Sequence, residues 1–106
     1  MPRKNLTEEN LPLAIQGRLR QWGLCVRHAR IRQRITVRDL ATRIQISTQT
    51  LARLESGDAS VQAGSYLTAL WVLGLLAEIA PEPQGGLWQG EPEVKRVRPE
   101  RDDDDF

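Results

Sequence analysis

The sequence has few of the residues that build covalent or catalytic sites. Its 106 residues include one cysteine, Cys25, and one histidine, His28. A single thiol cannot form a disulfide within the chain, and one imidazole does not make a metal-binding set. A glycine-rich phosphate loop followed by lysine is also missing. The four aspartates 102–105 are typical of a solvated acidic tail and not of a metal site. From these observations together we expect no enzyme, no cofactor and no metal.

Long apolar segments are absent as well. The longest, from Ala69 to Ala77, is far shorter than the roughly 20 residues that span a bilayer. The charged residues near Met1 are followed by no signal-peptide core. We therefore expect a cytoplasmic protein without a membrane partner. A hydrophobic content of 40% suits one small soluble domain.

Charge of the two signs is distributed very unevenly along the chain. The formal net charge is only +1, yet residues 18–53 contain nine arginines and one acid, a balance of +8. Residues 54–106 contain four bases and eleven acids, a balance of −7. A basic half of this kind is expected on a surface that contacts nucleic-acid phosphates. The alternative is an arginine-rich surface that is merely solvated.

Residues 36–57 have the pattern of two short amphipathic helices joined by a tight turn. Thr36 and Ser47 are each placed to cap the start of a helix, and Gly57 suits the left-handed residue that ends one. Inward-facing positions recur at helical spacing: they are Leu40, Ala41, Ile44, Leu51 and Leu54. The pattern predicts a helix-turn-helix that binds double-stranded DNA.

Flanking segments complete a helical bundle. The spacing predicts a first helix from about Leu13 to Arg34. Its inner stripe is expected to be Ile15, Leu19, Trp22, Val26 and Ala29. A fourth, strongly apolar helix is expected around Leu67, Leu70, Trp71 and Leu73. Residues 75–80 are open to a short fifth, so the expected bundle has four or five helices. We predict an all-α fold with an N-terminal arm over 1–12, a helix-turn-helix domain over 13–80 and a tail over 81–106.

The start of a recognition helix points into the major groove, which assigns roles to its polar residues. Thr48, Gln49 and Arg53 are predicted to read bases, since Gln pairs with adenine, Arg with guanine and the Thr methyl with thymine. Residues predicted to contact phosphates flank the groove instead: they are Arg38, Arg43 and Ser47. The alternative for all of these is a solvated polar surface.

These motifs resemble the Xre-type family of phage-repressor-like regulators over residues 17–77. The resemblance rests on a Thr-x-x-x-Leu-Ala start, a Ser-x-x-Thr-Leu-x-x-Leu-Glu-x-Gly recognition helix and a preceding Arg. It implies an ion pair between Arg30 and Glu55 that holds the recognition helix. Two positions depart from the family: Val37 replaces a phosphate-contacting Gln, and Gln45 stands where the turn usually has Gly.

The tail adds a second resemblance. After the helix stop at 81–86 come Trp88, Val94, Val97 and Phe106, which are apolar residues suited to ordering on a partner. Together with the fourth helix, Lys95–Arg98 and the acidic end, the layout is similar to HipB-type antitoxins. That resemblance implies a dimer that represses its own operon at a palindromic operator and binds a HipA-type Ser/Thr kinase toxin. Two alternatives stay open: a disordered solubilising tail, and a protein-interaction adaptor that recognises no specific operator.

Overall fold

The computed structural model describes residues 10–90, and over this range the chain forms helices and turns without a strand. The elements, in chain order, are α1 Leu13–Arg32, α2 Val37–Ile44, α3 Thr48–Glu55, α4 Ala63–Val72, α5 Leu76–Ile79 and a 3-10 turn at Gly85–Leu87. α1 contacts α3 and α4, and α2 also contacts both, so α2 and α3 lie on a scaffold made by the outer helices. The predicted all-α fold is confirmed.

The core lies where α1 to α4 meet. Its fully enclosed side chains come from all four helices: they are Val26, Leu40, Leu51, Leu54, Tyr66, Ala69 and Leu70. Tyr66 is the largest of them, and its ring meets Trp22 edge-on at a centroid distance of 6.0 Å. Each fully buried apolar side chain of this size contributes about 1.5 to 3 kcal/mol. Two short helices are stable here because they share this core with α1 and α4.

Both short helices begin at the predicted capping residues. The backbone N–H of Asp39 donates to Thr36 Oγ1 at 3.0 Å, and the N–H of Thr50 donates to Ser47 Oγ at 3.0 Å. Each bond satisfies an N–H group that has no acceptor within its helix. The positions of α2 and α3 are therefore set by local sequence as well as by packing.

Four helices end in the same way, with one left-handed residue followed by a return hydrogen bond. The left-handed residues are Arg34, Gln45, Gly57 and Gly74. After α2, the N–H of Ile46 donates to the carbonyl of Ala41 at 3.0 Å across Gln45, whose φ is 62°. This is the Schellman arrangement, which usually places Gly at the left-handed position. Gln45 thus adopts the backbone that its position in the turn demands, without being glycine.

The structure corrects two details expected of α1 and shows which residues of α4 are buried. α1 ends at Arg32 and not at Arg34, because Arg34 is left-handed and its N–H closes the helix end. Ile15 is 46% exposed and does not belong to the core cluster. In α4 the buried residues are Tyr66, Ala69 and Leu70, whereas Leu67 is partly exposed and Trp71 is 67% exposed.

Over residues 10–90, no helix is both long enough and apolar enough to cross a membrane.

Candidate nucleic-acid interface

The outward face of α3 carries the side chains predicted to read bases. Thr48, Gln49 and Arg53 are all exposed, whereas Leu51 and Leu54 on the opposite side are fully buried. Gln49 and Arg53 are four residues apart, so they occupy one side of the helix. The structure therefore presents one amide and one guanidinium together, with the Thr48 hydroxyl and methyl at the start of the helix.

Ser47 is predicted to contact a phosphate, but its hydroxyl is already hydrogen-bonded within the protein. Its hydroxyl accepts the N–H of Thr50 and donates to Thr50 Oγ1 at 2.9 Å. The hydroxyl is therefore used by the cap. What α3 offers an anion at this end is its first-turn backbone N–H groups, which have no acceptor within the helix, together with the positive end of the helix dipole.

Arg38 and Arg43 lie at opposite ends of α2. Arg38 is in the first turn and Arg43 in the last, and both are exposed. α2 precedes α3 by one tight turn, so two cations stand beside the reading face without being part of it. This placement suits contacts to a phosphate backbone, which position a protein on DNA without reading its sequence.

A buried ion pair holds α3 against α1. Arg30 Nε lies 2.7 Å from Glu55 Oε2 and Arg30 Nη2 lies 3.2 Å from Glu55 Oε1, a bidentate pair. The side chains of Arg30 and Glu55 are only 9% and 7% exposed. Arg30 Nη1 also donates to the carbonyl of Ile35 at 3.1 Å, so the guanidinium joins α1, the loop before α2 and the end of α3. Charged groups this deeply buried must be paired in this manner.

Two glycines bring the backbones of α1 and α3 unusually close. A Cβ at Gly23 would lie 2.6 Å from the carbonyl oxygens of both Leu54 and Glu55. A Cβ at Gly57 would lie 2.7 Å from the Cα of Arg20, and Gly57 also has a φ of 82°. Side chains at these positions would push the helices apart. The recognition helix is thus fixed at its C-terminal end by close backbone contact as well as by charge.

Arg27 also belongs to this region, and it is not one of the predicted contact residues. Its Nη1 lies 4.0 Å from Glu55 Oε1, yet its side chain is 54% exposed, because Arg30 already occupies the carboxylate. It lines a depression with Val37 and Ala52, at the side of α3 next to the start of α2. The signal in the sequence was its position three residues before Arg30, which places both on one face of α1.

The loop after α3 is ordered by Asp58. The N–H and hydroxyl of Ser60 donate to Asp58 Oδ1 at 2.8 and 2.7 Å, and these bonds, followed by the nearby charge of Arg53, lower the pKa of the Asp58 carboxyl. The hydroxyl of Tyr66 donates to the Asp58 carbonyl at 2.7 Å. Burial, reinforced by the Asp58 charge, raises the pKa of Tyr66 to about 12. The buried Tyr66 of α4 is therefore hydrogen-bonded to the loop that follows α3 and stabilises it.

Of the predicted tail residues, Trp88 is the one the structure describes. It is 61% exposed and follows the 3-10 turn, and its Nε1 lies 3.4 Å from the carbonyl of Pro83. Val94, Val97 and Phe106 lie outside the described residues.

Comparison with known proteins agrees with the helix-turn-helix geometry. A family model described as helix-turn-helix matches residues 26–64, which include α2, α3 and the last seven residues of α1, with Arg27 and Arg30 among them. The match covers 39 of the 106 residues and supports a helix-turn-helix regulator that binds DNA. No curated protein and no solved structure matches the chain.

Proposed function

We propose that this protein is a sequence-specific DNA-binding repressor that acts as a dimer on its own operon. The observation that carries the proposal is the contrast across α3, where an exposed polar face stands on a buried bidentate ion pair. A helix that reads bases must present donors and acceptors in one fixed orientation. The Arg30–Glu55 pair and the close contact at Gly23 supply that orientation.

In the proposed complex, Gln49, Arg53 and Thr48 face base edges in the major groove. An amide can bond an adenine twice and a guanidinium can do the same with a guanine, each worth about 1 to 3 kcal/mol of discrimination. The Thr48 methyl is suited to the methyl of thymine. These three residues determine sequence preference.

Phosphate contacts are assigned to the cations around this face. Arg38 and Arg43 flank it from α2, and Arg27 reaches it from α1 beside the start of α2. The first-turn N–H groups of α3 provide a further anion site, held in place by the Ser47 cap. Each arginine that neutralises a phosphate releases condensed counterions, so binding is expected to weaken steeply as salt rises.

The test is a fluorescence-anisotropy titration against the DNA upstream of the coding sequence and against a scrambled duplex of equal length. Both titrations are repeated between about 50 and 200 mM salt, a range over which 6–10 phosphate contacts change affinity about 10³- to 10⁵-fold. Tight binding to the upstream DNA alone supports the repressor. Equal, weak binding to both duplexes rejects it.

Two substitutions separate reading from positioning in that assay. Gln49→Ala is expected to reduce the preference for upstream over scrambled DNA. Arg43→Ala is expected to weaken both duplexes alike and to lower the salt dependence by about one phosphate contact. Arg32→Ala is the matched control, because Arg32 lies on the opposite side of α1, in a groove against α5. It should change neither the preference for upstream DNA nor the salt dependence. Equal losses on both duplexes for Gln49→Ala contradict the assignment.

The proposal extends to the antitoxin role in a HipBA-like toxin–antitoxin system. Its support is the tail resemblance, with Trp88, Val94, Val97 and Phe106 as docking residues for a HipA-type Ser/Thr kinase toxin. Co-expression with a HipA-type kinase tests it. Removal of residues 100–106 is expected to abolish neutralisation of the toxin while leaving DNA binding intact; unchanged neutralisation rejects the role of Phe106.

A protein-interaction adaptor is the second candidate function. The observation in its favour is the exposure of large apolar side chains, with Leu87 78% and Trp88 61% exposed near the end of the described chain. An adaptor would bind a partner protein yet show no preference for upstream DNA, so the anisotropy experiment also decides between the two.

A further inference from the structure

The sequence after the described residues contains a charge opposite to that of the helical domain. Residues 10–90 contain nine arginines and five acids, a balance of +4, and all nine arginines lie between residues 18 and 53. Residues 102–105 are four consecutive aspartates with a charge of −4. The proposed contacts to DNA give these aspartates no role. Because the two charges are equal and opposite, the aspartates are a candidate partner for the arginines.

Four exposed arginines surround the reading side of α3 and form what we call the DNA face. They are Arg27 of α1, Arg38 and Arg43 of α2, and Arg53 of α3. Within residues 10–90, no carboxylate forms an ion pair with Arg38, Arg43 or Arg53. Arg27 lies 4.0 Å from Glu55, whose carboxylate is already bound to Arg30 at 2.7 Å. The described residues therefore leave most of the positive charge of the DNA face uncompensated.

Two acids lie close to the DNA face, and both have other interactions. Asp39 is in the first turn of α2, where a carboxylate interacts with the positive end of the helix dipole. Asp58 Oδ1 accepts the N–H and the hydroxyl of Ser60 at 2.8 and 2.7 Å. The charge of Asp58 also acts on Arg53, so the other three arginines of the face have the least counter-charge.

The acidic run is long enough in reach to contact this face. Asp102 lies twelve residues after Gly90, the last described residue, and an extended chain of that length spans about 40 Å. The longest helix, α1, has 20 residues and is therefore about 30 Å long. Every side of the helical domain is thus within reach. A tethered segment acts at an effective concentration of about 1 mM, so even a weak contact is populated.

From this complementarity we infer that residues 102–105 bind the DNA face of the same chain and compete with DNA for it. A carboxylate accepts hydrogen bonds from the same guanidinium N–H groups as a phosphate does, so the two cannot occupy one arginine together. The contact itself depends only on charge and reach. The competition with DNA rests on the proposed function, and it adds to that function a regulation by the chain's own acidic run.

Charge favours the DNA face over the other cations of the chain. Arg32 and His28 line the groove between α1 and α5 together with Glu78, so that groove already contains a carboxylate. Residues 91–101 contain four bases and three acids, so the basic stretch at 95–98 has counter-charge beside it in the sequence. Neither group of cations needs the aspartates as much as the DNA face does.

The contact is tested on the full chain without DNA. The quadruple variant Asp102→Asn/Asp103→Asn/Asp104→Asn/Asp105→Asn removes the charge of the run and keeps the size of its side chains. Arginine Nε–Hε signals are compared by NMR at about pH 6, where aspartates are ionised. We expect the signals of Arg38 and Arg43 to differ between the wild type and the variant. Those of Arg32, the matched control in the groove with Glu78, should coincide.

Three results of that comparison overturn the inference. One is the absence of any difference at Arg38 and Arg43, and another is a difference confined to Arg96 and Arg98, which means that the run pairs with the basic stretch beside it. The third is a difference that disappears on dilution, which means that the run binds a second copy. Differences at Arg38 and Arg43 that are independent of concentration support the inference.

The competition is tested by the anisotropy titration. At about 50 mM salt the quadruple variant should bind the upstream and the scrambled duplex about fivefold more tightly than the wild type, since four exposed ion pairs each contribute a small factor. Both affinities should rise by the same factor, because the run acts on the free protein, so the preference for upstream DNA is retained. The affinity of the variant should also fall more steeply with salt, because salt weakens the competing run in the wild type.

Glu78→Gln/Glu82→Gln is the control for total charge, because it removes two exposed acids from the described part of the chain outside the DNA face. Its affinity for both duplexes should stay within about twofold of the wild type. An unchanged affinity of the quadruple variant overturns the inference. A gain that Asp104→Asn/Asp105→Asn and the control share equally also overturns it, because general repulsion of DNA would then explain the effect.

Failure here is distinguishable from failure of the proposed function. A protein whose arginine signals differ as expected, but which binds upstream and scrambled DNA equally, keeps the contact and rejects the repressor. A protein that prefers upstream DNA, but whose quadruple variant binds no more tightly, keeps the repressor and rejects the inference.

Discussion

The two faces of α3 are built on opposite principles. The inner face is closed by Leu51 and Leu54, by the Glu55 carboxylate on Arg30, and by Gly57 against the backbone of α1. The outer face carries Thr48, Gln49 and Arg53 in solvent. The inner residues are enclosed by the core and by α1, whereas the outer residues are exposed to solvent.

The difference explains how an eight-residue helix can present a binding surface in a fixed position. Alone it is too short to be stable in water. The inner face stabilises the helix and fixes its position. The side chains of the outer face are therefore free to contact a ligand. Substitutions on the two faces should therefore change different measured quantities.

The largest effect is expected from breaking the buried ion pair. Arg30→Ala leaves the Glu55 carboxylate buried without its bidentate partner, and should lower the free energy of unfolding by about 3 to 5 kcal/mol. The double variant Arg30→Ala/Glu55→Ala should lose less than the sum of the single variants. Urea denaturation of the four proteins in the cycle measures the coupling.

Arg27→Ala is the control for that cycle. Arg27 also approaches Glu55, but its side chain is 54% exposed at 4.0 Å, so its effect on unfolding should be under about 1 kcal/mol. Strict additivity between Arg30 and Glu55 would contradict the role assigned to the pair.

Alkaline pH should weaken the anchor at the exit of α3. The pKa of Tyr66 is raised to about 12 in the folded chain, against about 10 when unfolded, so folding favours the neutral phenol. Its contribution is fully present below pH 10 and is lost as the pH rises from about 10 to 12, on the order of 2 kcal/mol.

Tyr66 is the only tyrosine in the chain, so the absorbance of tyrosinate reports its titration directly. Unfolding free energies measured between pH 9 and 12 should fall more steeply for the wild type than for Tyr66→Phe, which has no phenol to ionise. Parallel curves for the two proteins, or a phenol that titrates near pH 10 in the folded state, would show that Tyr66 does not hold the loop.

Gly23→Ala tests the close contact between α1 and α3. The new methyl would meet two backbone carbonyl oxygens at 2.6 Å, so one helix must shift, at a cost of about 1 to 3 kcal/mol. Gly17→Ala is the matched control on the same helix, where a Cβ meets nothing within 4 Å. It should stabilise the protein by about 0.5 to 1 kcal/mol, because alanine favours a helix interior. Thermal unfolding of both variants measures the opposite signs, and equal shifts would contradict the contact.

The smallest effect on stability is expected from the outer face. Gln49→Ala should change the free energy of unfolding by less than about 0.5 kcal/mol, since the side chain is exposed and its helix keeps both its cap and its core. The same variant is the one expected to lose sequence preference on DNA. A large loss of stability for Gln49→Ala would mean that the outer face also supports the fold, and the contrast between the faces would disappear.

Local interactions explain which parts of this structure were predictable. Thr36 and Ser47 cap their helices because the bond runs to a backbone N–H three residues away, so nearby sequence is sufficient to predict it. The inward positions of α2 and α3 follow from helical spacing on short helices that have one buried face. The first four helices were predictable for the same reason, whereas the short fifth helix was left open between four and five.

Other features were not predictable because they depend on neighbours distant in the chain. Ile15 and Trp71 fit the apolar stripes of α1 and α4, yet they are exposed because no other described helix covers them. Arg27 and Arg30 are both arginines of α1, and only their distances to Glu55 show that Arg30 is buried and Arg27 is exposed. Gly23 gave no signal of its own, since the clash that forbids a side chain there comes from residues 54 and 55.

Local sequence is sufficient for the helices, their capped starts, the arginine-rich half and the polar outer face of α3, because each depends on residue type and on spacing along one segment. Tertiary structure alone decided which apolar residues became core, how closely α3 approaches α1, which arginine is buried and which is left beside the reading face, and that Trp71 is exposed. These depend on distances between segments, which no local pattern contains.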